Sequence, residues 1–165
     1  MSILKVDTIN EKTSGNGVAI PGHVIQVIQT TGTTQTELTT TGTWTDVVPT
    51  ATITPKFSTS KILVIHSAGG MGYATTSGSM GMRILRGSTN IASRSRQAYL
   101  TNNSSKYSQV SWDMNFLDSP ATTSAITYKV QIYLEMAGNI RHNSQDSNIS
   151  PITSLSTTTL MEIAQ

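Results

Sequence analysis

The chain has 165 residues, no cysteine and a formal net charge of +2, which fits one domain with a real core and excludes disulfides and thiolate metal sites. Charged residues are only 12% and aromatics 5%, while Ser and Thr together supply roughly three residues in ten, against a charged share of about a quarter in ordinary globular chains. The small positive excess is spread along the chain and does not describe a nucleic-acid binder, and no apolar run approaches the roughly 20 residues of a membrane span, so neither nucleic acid nor membrane insertion is expected.

Residues 1–22 differ in character from the rest of the chain. Ile3, Leu4, Val6 and Ile9 sit among polar residues, and Thr13-Ser14-Gly15-Asn16-Gly17 then turns the chain into Val18-Ala19-Ile20-Pro21-Gly22. This segment is too sparse in apolar groups to fold alone and lacks the long apolar stretch of a signal peptide. It reads either as a flexible leader or as a short β-rich attachment and trimerisation arm. In the second case Ile3, Leu4, Val6, Ile9, Val18 and Ile20 find partners in identical copies or in another protein, and Pro21-Gly22 joins the arm to a head of residues 23–165.

Within the head, residues 24–30 predict the first strand, and a threonine-rich loop over 31–43 carries Leu38 as its anchor. Residues 44–48 and 51–53 predict an edge or bent strand, because Pro49 interrupts it and Pro55 ends it. Residues 61–68 alternate Ile62, Val64 and His66 against Leu63, Ile65 and Ser67. Both faces begin apolar, which suits a strand held between layers or between subunits. Gly69-Gly70 permits a bulge or bend, and residues 71–78 read as a flexible turn leading into a strand over 80–86. Gly87-Ser88-Thr89-Asn90 reads as a hairpin turn returning through Ile91-Ala92.

Residues 94–105 are polar and read as an exposed loop. Val110, Trp112, Met114 and Phe116 alternate next, which puts Trp112 in the core. From Ile126 to Met136 the alternation never slips, with Ile126, Tyr128, Val130, Ile132, Leu134 and Met136 on one parity. Such a strand has one dry face, and a register shift of one residue would expose all six groups. A loop over 138–150 precedes a last strand running to Ile163. Many strands and no amphipathic helix predict an all-β antiparallel sandwich.

Several strings, taken in order, resemble a known family. Lys61-Ile62-Leu63-Val64, Arg83-Ile84-Leu85-Arg86-Gly87-Ser88-Thr89, Phe116-Leu117-Asp118-Ser119-Pro120-Ala121-Thr122-Thr123, Ile126-Thr127-Tyr128-Lys129-Val130 and Leu160-Met161-Glu162-Ile163 resemble the trimeric head domains of fibre-like virion proteins of tailed bacteriophages. The opening Ser2-Ile3-Leu4-Lys5-Val6-Asp7-Thr8-Ile9, with Gly17-Val18-Ala19-Ile20-Pro21-Gly22, is similar to the leader on such proteins in phages of marine bacteria. The resemblance implies a jelly-roll head, related in shape to tumour necrosis factor and complement heads, packed as a homotrimer with its last strand near the subunit interface. On that basis Ile62, Val64, His66, Leu155, Leu160 and Met161 are expected at the trimer interface. Only about twenty residues precede the head, so a short appendage, a capsid-surface fibre or a decoration protein is expected rather than a long tail fibre.

No catalytic or metal motif accompanies this pattern. His23, His66 and His142 are far apart in sequence with no second histidine at ligand spacing, there is no Gly-x-Ser-x-Gly elbow, and Asp113 and Asp118 lack an Asp-rich loop. No metal, cofactor or catalytic residue is expected. Arg83, Arg86, Arg94 and Arg96 cluster locally but without a glycine-rich phosphate loop. Aromatic rings on loops stack on sugars and anchor interfaces, so Tyr73, Tyr99 and Tyr107, with Arg94, Arg96, Asn102 and Asn103, are the candidate contacts to a bacterial surface glycan or receptor. The sequence thus predicts a non-enzymatic virion surface protein that binds other tail or capsid proteins and serves host adsorption. Capsid decoration or tail assembly without receptor binding, and a particle-borne glycan-active enzyme, are the alternatives.

Overall fold

Alternating side chains can bury one face only as strands, and the computed structural model follows that rule. It describes residues 6–12, 14–15, 17–18, 20–95, 99–135, 138–144 and 154–165, and the side chains of 73–78 and 99–110 lie outside the description. Among the described residues the regular structure is entirely β. In chain order the strands are β1 (Val24–Gly32), β2 (Thr36–Leu38), β3 (Trp44–Ile53), β4 (Lys61–Arg86), β5 (Thr89–Arg94), β6 (Tyr99–Asp118), β7 (Ile126–Leu134), β8 (Asn139–His142) and β9 (Ser156–Ile163). In β7 the expected parity holds: Ile126, Tyr128, Val130, Ile132 and Leu134 are buried, while Thr127 is exposed.

The strands form an antiparallel sandwich whose two layers share β4. In the first layer β1, β9, the beginning of β4 and the end of β6 lie side by side. Further along the same edge of β4, β8 takes over from β9, and β2 pairs with β8. The end of β4 then enters the second layer, where it lies between β5 and β7, with β3 beyond β7. Ile62, Val64, Trp112, Met114 and Leu160 of the first layer and Val47, Ile53, Ile84, Val130 and Ile132 of the second belong to one buried apolar cluster. Burying such side chains contributes roughly 1.5–3 kcal/mol each.

Four expected loops contain strand. Residues 71–78 are no turn, because β4 continues through them, paired with β6 on one side and, at 71–74, with β8 on the other. Within 94–105, the backbone from Tyr99 onward belongs to β6. Within 138–150, Asn139–His142 form β8. These stretches lack clean alternation, and they are extended because their amides and carbonyls find ladder partners along β4. The threonine-rich segment likewise contains β2, with Leu38 buried as its anchor. Trp112 lies in the core. The edge position expected for β3 also holds, and its register with β7 slips between Val47 and Ala51, around Pro49.

Candidate functional site

Among the described residues, the outer face of the first layer carries apolar side chains that the fold leaves uncovered. Because side chains alternate, inward Ile62, Val64 and Leu160 leave Leu63, Ile65 and Met161 pointing away from the core. Register then sets these outward residues in rows across strands. Val27 pairs with Met161, Met161 with Leu63, and Leu63 with Leu117, so one apolar row crosses β1, β9, β4 and β6. Val24, Ile163 and Lys61 form the next row, and Gln29, Thr159, Ile65 and Asn115 the row on the other side. Val24 is 50% exposed, Val27 53% and Leu117 45%, and Leu63, Ile65, Met161 and Ile163 are half-buried. Neutral Thr157 and Ser67 continue the face beyond Thr159 and Ile65.

This arrangement corrects four of the expected interface residues. Ile62, Val64, His66 and Leu160 have no exposed surface. The protein's own core covers Ile62, Val64 and Leu160, and His66 is enclosed against His142 and Thr158, so none of them is open to another copy. Leu155 is 50% exposed and Met161 half-buried, and both lie at the surface. Leu63, Ile65, Leu117, Val27 and Ile163, which share the uncovered face, are not among the expected residues, although both parities in 61–65 are apolar.

The expected attachment residues Val6, Ile9, Val18 and Ile20 are exposed, whereas Ile3 and Leu4 lie outside the described residues. Glu11 holds the next turn, its two carboxylate oxygens accepting the Gly15 amide at 2.7 Å and the Gly17 amide at 2.6 Å. Gly22 and His23 join the segment to the end of β9 through hydrogen bonds of 2.9 Å with Ala164. Of the expected receptor contacts, Arg94 is exposed at the end of β5, where it lines a recess with Met82, Trp112, Asp113 and Met114. Arg96 lies outside the described residues, as do the side chains of Tyr73, Tyr99, Asn102, Asn103 and Tyr107. Their strands run together nonetheless, with Ala74 opposite Tyr107 and Ser79 opposite Tyr99.

The outer face of the second layer is polar and closely cross-linked. The Arg83 guanidinium lies 4.2 Å from the centre of the Trp44 ring, and Trp44 packs on Tyr133 at 4.9 Å. Arg83 Nε donates to Gln131 at 2.7 Å, Gln131 donates to Asp46 at 2.5 Å, and Lys129 reaches the other Asp46 oxygen at 2.9 Å. Partial burial pushes the Asp46 pKa up, but the hydrogen bonds from Lys129 and Gln131 and the charges of Lys129 and Arg83 outweigh it and hold the carboxyl below its usual value. Since these groups satisfy one another, this face reads as a cross-strand network rather than an apolar contact surface. Among the described residues, no three His, Asp or Glu side chains are grouped so as to hold a metal ion, and no helix is long and apolar enough to cross a membrane.

No family model matches the chain, and no curated protein matches it. Similar solved structures exist. A chain in the structure of the infectious bursal disease virus Gx strain is 14% identical, with a TM-score of 0.41 over 96% of this chain and 42% of that one. A chain of the T=1 particles derived from infectious bursal virus is 13% identical, with a TM-score of 0.39 over 85% of this chain and 36% of that one. Dimeric latent PorU from Porphyromonas gingivalis is 11% identical, with a TM-score of 0.34 over 90% of this chain and 14% of that one. The chain therefore spans about two fifths or less of the length of these proteins.

Proposed function

We propose that this chain is a non-enzymatic virion structural protein, a homotrimeric surface appendage whose subunits meet through the outer face of the first layer. The observation that carries the reading is the row Val27, Met161, Leu63 and Leu117, flanked by Val24, Ile163 and Ile65. Seven apolar side chains per subunit, at roughly 1 kcal/mol for each one covered, are of the size needed to offset an association cost on the order of 4–15 kcal/mol. The threefold number rests on the sequence resemblance. Residues 1–22, with Val6, Ile9, Val18 and Ile20 exposed, attach the head to tail or capsid proteins, and the head serves host-surface adsorption, where three copies let weak contacts add up.

Sedimentation equilibrium at decreasing concentration tests the assembly. The expected mass is three copies, and Leu63→Glu combined with Met161→Glu should give a single copy with an unchanged β circular-dichroism spectrum. A native chain that persists as one copy at micromolar concentration would overturn association, and a stable dimer would overturn the threefold arrangement. Removal of residues 1–22 should leave the trimer intact and abolish its joining to particles. Purified head should compete with virions for host cells; unchanged adsorption would instead assign it to decoration or assembly.

A further inference from the structure

Where β8 gives way to β9 along β4, a set of polar side chains is sealed inside the protein. His66, His142, Asn143 and Ser156 have no exposed surface, and Thr158 is 1% exposed. Their hydrogen bonds determine where the protons sit. Asn143 Nδ2 donates to the carbonyls of Gly32 and Thr34 at 3.0 and 3.1 Å, so its Oδ1 is an acceptor and receives the Ser156 hydroxyl hydrogen at 2.5 Å. With that hydrogen committed, Ser156 Oγ can only accept, from the Gly69 amide at 2.9 Å and from His142 Nε2 at 3.2 Å. His142 therefore carries its proton on Nε2. Thr158 in turn donates to the Pro49 carbonyl at 2.9 Å, so its Oγ1 accepts from His66 Nδ1 at 3.0 Å. His66 therefore carries its proton on Nδ1.

The bonded protons thus sit on opposite nitrogens, burial keeps both imidazoles neutral near pH 7, and the rings are stacked with centres 5.8 Å apart. The remaining nitrogens, His66 Nε2 and His142 Nδ1, are buried without a hydrogen-bond partner among the described residues. Any additional proton must go there, where no acceptor among the described residues receives it, and a proton on each ring would set two like charges face to face.

We propose that the His66–His142 stack is an acid-release joint: protonation of either ring unfastens β8 and the beginning of β9 from β4, while the rest of the sandwich stays paired. The surrounding charges do little to rescue an imidazolium. On β6, Asp113 attracts a charge on His66 but lies on the exposed face. On β8, Arg141 is ion-paired at 3.2 Å with Glu37 of β2. On β9, Glu162 is held by the amides of Lys56 and Phe57. The strand β1 carries no charged residue, and Asp46 of β3 is bound to Lys129 on the outer face of the other layer.

Burial pushes the His66 pKa down to about 4 against the pull of Asp113, and burial followed by the charge of His66 pushes His142 down to about 4. An unfolded histidine takes its proton near 6.5, before the folded one does. Stability is therefore complete above that value and falls as the pH drops from 6.5 towards 4. The folded-to-unfolded ratio falls by up to about 300-fold for each ring.

Long-range proton–nitrogen NMR spectra of the imidazoles in a His23→Gln chain, together with amide exchange, test the joint. At pH 7 one ring should show the Nδ1–H form and the other the Nε2–H form. Between pH 6.5 and 5 the amides of β8 and the first residues of β9 should lose protection by 10-fold or more, ahead of those of β3 and β7. The double variant His66→Gln, His142→Gln should remove this pH dependence, and the spectra of the histidine-bearing chain decide the question if that variant does not fold. Two rings of the same tautomer, or rings that titrate near 6.5 with β8 and β9 still protected, would overturn the proposal.

Discussion

Tyr128 donates its phenolic hydrogen to Asp118 Oδ2 at 2.7 Å, and the two residues come from opposite layers of the sandwich. Arg86 Nη1 reaches both oxygens of the same carboxylate at 3.0 and 3.1 Å. Tyr128 is fully buried and Asp118 is 5% exposed, so the trio fastens the layers where the apolar core ends. Burial first, and then the hydrogen bond to Asp118 and its charge, hold the phenol protonated far above its ordinary range. The unfolded chain releases that proton near pH 10 and the folded chain keeps it, so stability is full below about pH 10 and declines above it. Absorbance titration should find one tyrosine silent until the protein unfolds. Tyr128→Phe should abolish that alkaline decline and cost about 1–3 kcal/mol at neutral pH by leaving Asp118 one donor short, as read from urea unfolding.

Glu162 is a second buried carboxylate and has a different task. Its Oε1 accepts the Lys56 and Phe57 amides at 2.8 and 3.2 Å, and its Oε2 accepts Gln26 Nε2 at 2.5 Å. The side chain thereby ties the loop after β3 to β9 and β1. Glu162→Gln removes the charge from these bonds and turns an NH2 group towards a donor, so a loss of about 1.5–3 kcal/mol is expected. The amides of Lys56 and Phe57 should then exchange faster than those of β7. Unchanged exchange at both positions would show that the carboxylate does not hold the loop.

How far the sequence reveals these contacts depends on what decides each one. The strand of residues 126–134 is legible because one parity is apolar throughout, and any shift would expose it. The bent edge strand is legible in Pro49, which cannot serve a central ladder. By contrast, β8 has four residues and the start of β6 is polar, so their extended form comes from pairing with β4 rather than from their own pattern. The proposed association face shows the same limit. In 61–65 both parities are apolar, and nothing local says whether Ile62 or Leu63 turns inward. The rest of the core decides it by covering Ile62 and Val64, and the register of β9 then carries Leu160 inward and Met161 outward. His66 and His142 lie far apart along the chain, and they meet only because β8 and β9 share one edge of β4.

That shared edge requires a residue without a side chain at position 69. A Cβ on Gly69 would lie 2.3 Å from the Leu155 carbonyl oxygen and 2.5 Å from the Leu155 nitrogen. Both are backbone atoms, and the chain there cannot retreat easily because the next residue, Ser156, accepts the Gly69 amide and enters β9. Gly69→Ala should therefore cost at least about 2 kcal/mol, towards the upper part of the range for overpacking. Gly87 provides the comparison. Its φ of +58 is left-handed, yet a Cβ there meets nothing within 4 Å, so Gly87→Ala should cost only the backbone term of about 1–2 kcal/mol. Urea unfolding of the two variants checks the ranking, and amide exchange checks the location. Loss of protection in Gly69→Ala should centre on β8 and the start of β9, and in Gly87→Ala on the β4–β5 turn. If Gly69→Ala proved no more costly than Gly87→Ala, the close approach of β4 to residue 155 would be refuted.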